Sequence, residues 1–215
     1  MTDEQTISEI LEQIEFLVRK YSLERRAMTQ PYLLGVVQEK VDGYQYNPED
    51  ILVRETLLEH VGFLPILATA LYPYIDDSDV DLGDALTMLA IHDIGELVVG
   101  DENVFTKKIE DKDAEYQAGL KLLHSYYHSM YEDIENKISK SAKFAKAIDK
   151  LAPDIIDYLT PAKITKQRLK HFANFEAEQI VDKIIEFKRP YMTWNPFMEE
   201  FHKHLMEKLT IKLTQ

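Results

Sequence analysis

Apolar residues recur along this chain at helical rather than strand intervals, and that spacing restricts it to folds made of packed helices. Ile7, Ile10, Leu11, Ile14, Leu17 and Val18 trace one face of a first amphipathic helix. Strand-like alternation is scarce, and only seven glycines punctuate 215 residues. The expected class is all-α, a compact multi-helix bundle. Asn47-Pro48 reads as an N-cap followed by the first helical position, opening a long apolar helix that runs to about Ile75 with Pro65 inside it. Asp81 or Asp84 opens another, ending near Gly100. Further helices are expected at about 111–131, 139–151, 165–187 and 196–213. The stretch from about Ser22 to Asp50 is less regular and holds Tyr32, Tyr44 and Tyr46. No repeat, low-complexity tract or linker divides the chain, so residues 1–215 are expected to form a single α-helical domain.

Composition narrows the chemistry. The chain has no cysteine, which rules out disulfides and thiolate ligands, so any metal must be held by imidazole and carboxylate. A formal net charge of −13 disfavours nucleic acid as a partner, and no basic stripe interrupts it. A small anionic substrate would need a local cation to offset that field, and a bound metal ion would supply one. No run of about eighteen apolar residues marks a membrane span. The acidic start MTDEQTISEI lacks the order of a secretory signal, so a cytoplasmic setting is expected.

Three segments carry residues that suit chemistry better than packing. The first is Ala90-Ile91-His92-Asp93-Ile94-Gly95-Glu96, leading to Gly100-Asp101. It follows an apolar run, and charged groups in such surroundings are rare unless paired or metal-bound. Glu96 lies four residues after His92 and three after Asp93, hence on the same side of a helix. A capping histidine with a solvated acidic end would look similar. The second is His60, embedded in an apolar helix with Pro65 five residues on; a hydrogen-bonded core histidine is the plainer account. The third is Asp149 in Ala147-Ile148-Asp149-Lys150-Leu151, where pairing with Lys146 or Lys150 would make it purely structural.

In chain order these read His, then His-Asp, then Asp. That pattern resembles the HD-domain superfamily of metal-dependent phosphohydrolases, and most of all its 5'-deoxynucleotidase-like branch. The matching stretch covers about residues 50–155 and rests on Arg54-Glu55-Thr56-Leu57-Leu58-Glu59-His60, His92-Asp93-Ile94-Gly95-Glu96 with Gly100-Asp101, and Ala147-Ile148-Asp149-Lys150-Leu151. The resemblance implies one divalent ion (Mn, Co, Zn, Fe, Ni or Mg) on His60, His92, Asp93 and Asp149. It implies Glu96 as proton relay, Asp101 on the leaving-group side and Arg54 as a phosphate-binding fork. Lys107 and Lys108 are weaker phosphate candidates. The implied reaction is hydrolysis of a phosphomonoester, a nucleoside 5'-monophosphate or related small phosphate, with a homodimer as a compatible assembly. Rival readings are a nucleotide phosphodiesterase or pyrophosphohydrolase, an iron-dependent oxygenase, and a non-catalytic helical module.

The chain departs from that branch where an Arg-x-Gly-Trp or Arg-Trp element often precedes the first histidine. Here the region reads Gly43-Tyr44-Gln45-Tyr46-Asn47-Pro48, and Arg54 is one residue nearer His60 than usual. His124 and His128, spaced i, i+4, have the geometry for a second metal, although Lys121 and Ser125 beside them suggest a solvated stripe. His202 and His204 read as surface residues.

Overall fold

A computed structural model describes residues 6–12, 14–15, 57–100, 109–163, 165–166 and 177–214, and among these there is no strand. An N-terminal helical segment (6–12 and 14–15) precedes eight α-helices. They are α1 (Leu57–Leu71), α2 (Leu82–Ile91), α3 (Glu96–Val99), α4 (Ile109–Leu122), α5 (His128–Asn136), α6 (Lys140–Leu159), α7 (Ala177–Met192) and α8 (Pro196–Thr214). The all-α expectation holds. The proposed cap Asn47-Pro48, and Tyr32, Tyr44 and Tyr46, lie outside the described residues.

Helix α6 is the axis of the bundle, packing against α1, α2, α5, α7 and α8. Its sequence explains the role. Ala142, Ala145, Ala147 and Ala152 are fully buried and let neighbouring backbones come close, while Phe144, Ile148 and Leu151 fill the space between them. Leu64, Leu67 and Leu71 of α1, Met88 and Leu89 of α2, and Phe201 and Leu205 of α8 complete the same core. Fully burying such side chains is worth about 1.5–3 kcal/mol each. A smaller cluster, Val181, Ile184, Met206, Leu209 and Leu213, joins α7 to α8.

The start signals behave as the residue types dictate. Asp81 caps α2 by accepting from the Asp84 amide at 2.9 Å, and Ser139 caps α6 by accepting from the Ala142 amide at 3.0 Å. The Ser141 hydroxyl of α6 accepts from the Asp81 amide at 2.8 Å, tying the start of α2 to α6. Lys212 of α8 closes the other end of α6, donating to the carbonyls of Asp157, Tyr158 and Thr160.

Several expected helices have different limits. The single helix expected at about 111–131 is two, α4 and α5, separated by the 3-10 turn Ser125–Tyr127. His124 adopts an extended ψ of 140° and its ring accepts from the Tyr126 amide, so the side chain competes with the continuing helix. The helix expected to end near Leu151 instead continues through Pro153 to Leu159. Pro153 cannot donate to the Asp149 carbonyl four residues back, but burial along the rest of α6 outweighs that lost bond.

His202 and His204 are not surface residues: they are 4% and 7% exposed. His202 faces Asp154 of α6 (Nε2–Oδ2 3.3 Å), which also pairs with Lys188 of α7 (Nζ–Oδ1 2.6 Å). This arrangement pins α7 and α8 to the axis. Truncating one partner of a buried pair leaves the other charge uncompensated. Asp154→Ala should therefore destabilise by about 3–5 kcal/mol in urea unfolding, and the double replacement Asp154→Leu/Lys188→Met by much less. Equal losses in the two variants would show that packing, not charge, sets the cost.

Candidate metal centre

Three helices bring the ordered motif together. His60 comes from α1, His92 and Asp93 from the tight turn closing α2, and Asp149 from α6. One ligand atom from each lies within 4.8 Å of all the others. Residues separated by 32 and 56 positions thus meet at one point, as the pattern implies.

The local winding explains how neighbours His92 and Asp93 both reach it. After Ile91 the chain tightens to i→i−3 bonds, Ile94 to Ile91 at 3.2 Å and Glu96 to Asp93 at 3.0 Å, rather than running on as the single helix expected to Gly100. His92 is fully buried, and its Nδ1 lies 2.9 Å from the Leu89 carbonyl. An N–H there fixes the tautomer, leaving the Nε2 lone pair aimed into the cluster. That Nε2 is buried and faces the carboxylates of the cluster. It stands 2.9 Å from Asp93 Oδ2 and 3.4 Å from Asp149 Oδ1, while His60 Nε2 stands 3.5 and 3.4 Å from the same two oxygens.

These separations test the fit to a metal ion. Two ligands each about 2.1 Å from one ion lie roughly 3.0 Å apart at a right angle and roughly 3.4 Å apart at a tetrahedral angle. The four observed distances, 2.9 to 3.5 Å, occupy that range. Two imidazoles and two carboxylates also form a suitable donor set for a borderline or hard divalent ion. The residues present fit the group.

The electrostatics favour ionised carboxylates. Burial alone would raise Asp149, but Lys150 (Nζ–Oδ2 2.8 Å), His60 and His92 hold it well below the usual carboxylate range. Asp93 is likewise lowered, its burial outweighed mainly by His92. Burial would lower His92, yet Asp149 and Asp93 more than offset it and lift its pKa to about 9. Lys146, half-buried and paired with Glu135 at 3.1 Å, is raised because the carboxylates of Asp149, Glu135 and Asp93 overcome its desolvation.

A pH dependence follows with a definite sign. In the metal-free protein His92 is raised above its ordinary 6.5, so its proton stabilises the fold at low pH and that contribution is lost as pH rises through about 9. A metal requires the neutral ring. Binding at pH 7 should release about one proton, and affinity should rise with pH up to about 9. Calorimetry in buffers of different ionisation enthalpy measures this; absence of proton release at pH 7 would contradict it.

Glu96 opens α3 beside this site. Its carboxylate falls within 4.8 Å of those of Asp93 and Glu115, the latter on α4. Gly100, at φ 84°, ends α3 in a conformation that suits glycine. Arg54, Asp101, Lys107 and Lys108 lie outside the described residues. His124 and His128 belong to different elements, and one nitrogen of each ring engages local backbone, the Tyr126 amide at 3.2 Å and the Leu123 carbonyl at 3.2 Å. Glu115 was not singled out from the sequence, where nothing distinguishes it from neighbouring Asp111 and Asp113. A cleft of about 410 Å³ lined by Glu15, Tyr158, Leu159, Thr160, Pro161 and Lys212 contains none of these residues. Tyr158 is nine residues beyond Asp149, roughly 14 Å further along α6.

Comparison with known proteins agrees with this architecture. The family described as HD domain matches residues 49–186. No curated protein matches the chain. Among solved structures, a predicted metal-dependent phosphohydrolase from Magnetospirillum magnetotacticum MS-1 is 21% identical, with a TM-score of 0.46 over 72% of this chain and 83% of that one. The chain belongs to the HD-domain family. Its cofactor is a divalent metal ion, and the cluster of His60, His92, Asp93 and Asp149 is the candidate site for it. No helix among the described residues is long and apolar enough to cross a membrane.

Proposed function

We propose that this protein is a phosphomonoesterase acting on a nucleoside 5'-monophosphate or a related small phosphate, with His60, His92, Asp93 and Asp149 as metal ligands and Glu96 as the acid–base residue. The observation that carries the reading is the position of Glu96. It neighbours the ligand Asp93 without belonging to the four-residue group.

When bound, a divalent ion neutralises phosphate charge and makes its coordinated water more acidic. The chain supplies the rest. His92 is held in one tautomer by the Leu89 carbonyl, and Asp149 is kept ionised beside Lys150. In this reading Glu96, half-buried at the start of α3, takes a proton from the attacking water and returns it to the leaving oxygen. Lys150 is partly exposed at the rim, which suits a cation that meets an incoming phosphate. Arg54 and Asp101 are assigned to phosphate and leaving-group contacts by resemblance. The chain works as one helical domain in this reading.

The deciding experiment measures phosphate release from nucleoside 5'-monophosphates, p-nitrophenyl phosphate and bis-p-nitrophenyl phosphate after loading with Mn²⁺, Co²⁺, Zn²⁺ or Mg²⁺. Monoester turnover that depends on metal is expected. Turnover of the diester alone would move the protein to the phosphodiesterase reading, and no turnover under any loading would favour a binding module.

A further inference from the structure

The turn after His92-Asp93 is in backbone contact with α4, and that contact presents a carboxylate to Glu96. A Cβ built on Gly95 would meet the Glu115 carbonyl oxygen at 2.2 Å and its carbonyl carbon and Cγ at 2.9 Å. Backbone cannot move aside as a flexible side-chain tip can, so glycine at 95 is what lets α4 come this close. The position of Glu115 is therefore tied to the same turn that places Asp93 and Glu96.

Asp93, Glu96 and Glu115 lie close enough for one water to bridge two of their carboxylates. One water donating both its hydrogens at about 2.8 Å to two acceptors spans roughly 4.5 Å between them. Glu96 and Glu115 offer oxygens within 4.8 Å, and Asp93 offers a third at the same range. A shared water would fix the Glu96 carboxylate in one orientation and hold its far oxygen off the reacting side.

We infer that Glu115 is a positioning residue of the hydrolytic site, orienting Glu96 through a bridging water; the inference rests on the phosphohydrolase reading above. Alanine suits a helix interior, so Glu115→Ala is expected to keep the fold. In Mn²⁺-loaded protein with p-nitrophenyl phosphate, Glu115→Ala should lower kcat roughly 10- to 100-fold, the usual cost of a lost supporting partner. KM should change little. Mn²⁺ affinity and stoichiometry, read by electron paramagnetic resonance titration, should match the parent. Glu115→Gln keeps an acceptor oxygen and should recover most of the loss. In a Glu96→Gln background, Glu115→Ala should change kcat by no more than about threefold, because the residue through which it acts is already disabled.

Three results would overturn the inference while leaving the function intact: an undiminished kcat in Glu115→Ala, an equal loss in the Glu96→Gln background, or loss of bound Mn²⁺. The last would make Glu115 a ligand. A parent protein that binds Mn²⁺ yet turns over no phosphate ester would instead refute the phosphohydrolase reading, and this inference with it.

Discussion

Asp149→Ala is expected to abolish stoichiometric metal binding and, with it, all metal-dependent turnover. Asp149 sits on the bundle axis, 6% exposed, and its Oδ1 is 3.4 Å from both His60 Nε2 and His92 Nε2. It is the one member of the four-residue group that α6 contributes, so its removal separates the candidate site from the core helix. The charge consequence is as large as the geometric one. Lys150 now pairs with Asp149 at 2.8 Å, and half-buried Lys146 lies one turn earlier. Without the carboxylate, two ammonium groups face a site left with one anionic ligand, and an incoming cation is repelled where it was attracted. The loss in affinity should exceed the roughly 10- to 100-fold that a missing outer partner costs.

Thermal unfolding gives an independent measure. Metal at a hundred times its dissociation constant stabilises the native state by about 2.7 kcal/mol, so the parent should melt higher when Mn²⁺ is added. Asp149→Ala should show no such shift. Asp149→Asn keeps the shape and removes the charge, and it should behave nearly as badly. A variant that keeps one tightly held ion per chain would show that Asp149 is not a ligand.

The parts of the fold that were readable without coordinates are those governed by local rules. Apolar spacing located the N-terminal helical segment and α8, and Asp81 announced α2 because its oxygen accepts from an orphan amide of the first turn. Errors arose where a distant partner or a side-chain competition decides. His202 looks solvated beside Lys203, yet the buried Asp154, 48 positions earlier, gives it a place in the interior. His124 and His128 keep helical spacing, but the His124 ring caps Tyr126 and breaks the helix on which that spacing depended.

The candidate site divides the same way. The four residues that converge were legible because the order His, His-Asp, Asp is a chain-level pattern, and each element independently places an ionisable group in apolar surroundings. Glu115, Lys146 and the Leu89 carbonyl were not, since their parts depend on which helices become neighbours. Gly95 stands between the two cases. Its place in the motif was readable, while the reason for it, the Glu115 backbone pressed against the turn, belongs to the packed structure.

Glu96→Gln should separate chemistry from metal binding. Glu96 begins α3, its amide bonded to the Asp93 carbonyl at 3.0 Å, so it is anchored to the same turn as a member of the candidate metal cluster. Glutamine preserves size and helix propensity but cannot accept and return a proton at neutral pH. If Glu96 is the acid–base residue, kcat should fall by roughly 10²–10⁴-fold, the usual worth of a positioned proton carrier. Metal content and the Mn²⁺-induced rise in melting temperature should stay at parent levels, in contrast to Asp149→Ala. KM should also hold, because the phosphate-binding charges remain. The pair of variants is diagnostic where neither alone would be. A Glu96→Gln protein that loses its ion as Asp149→Ala does would make Glu96 a fifth ligand. One that keeps both its ion and its turnover would leave the proton relay to another residue, and the position of Glu96 beside Asp93 would then say nothing about mechanism.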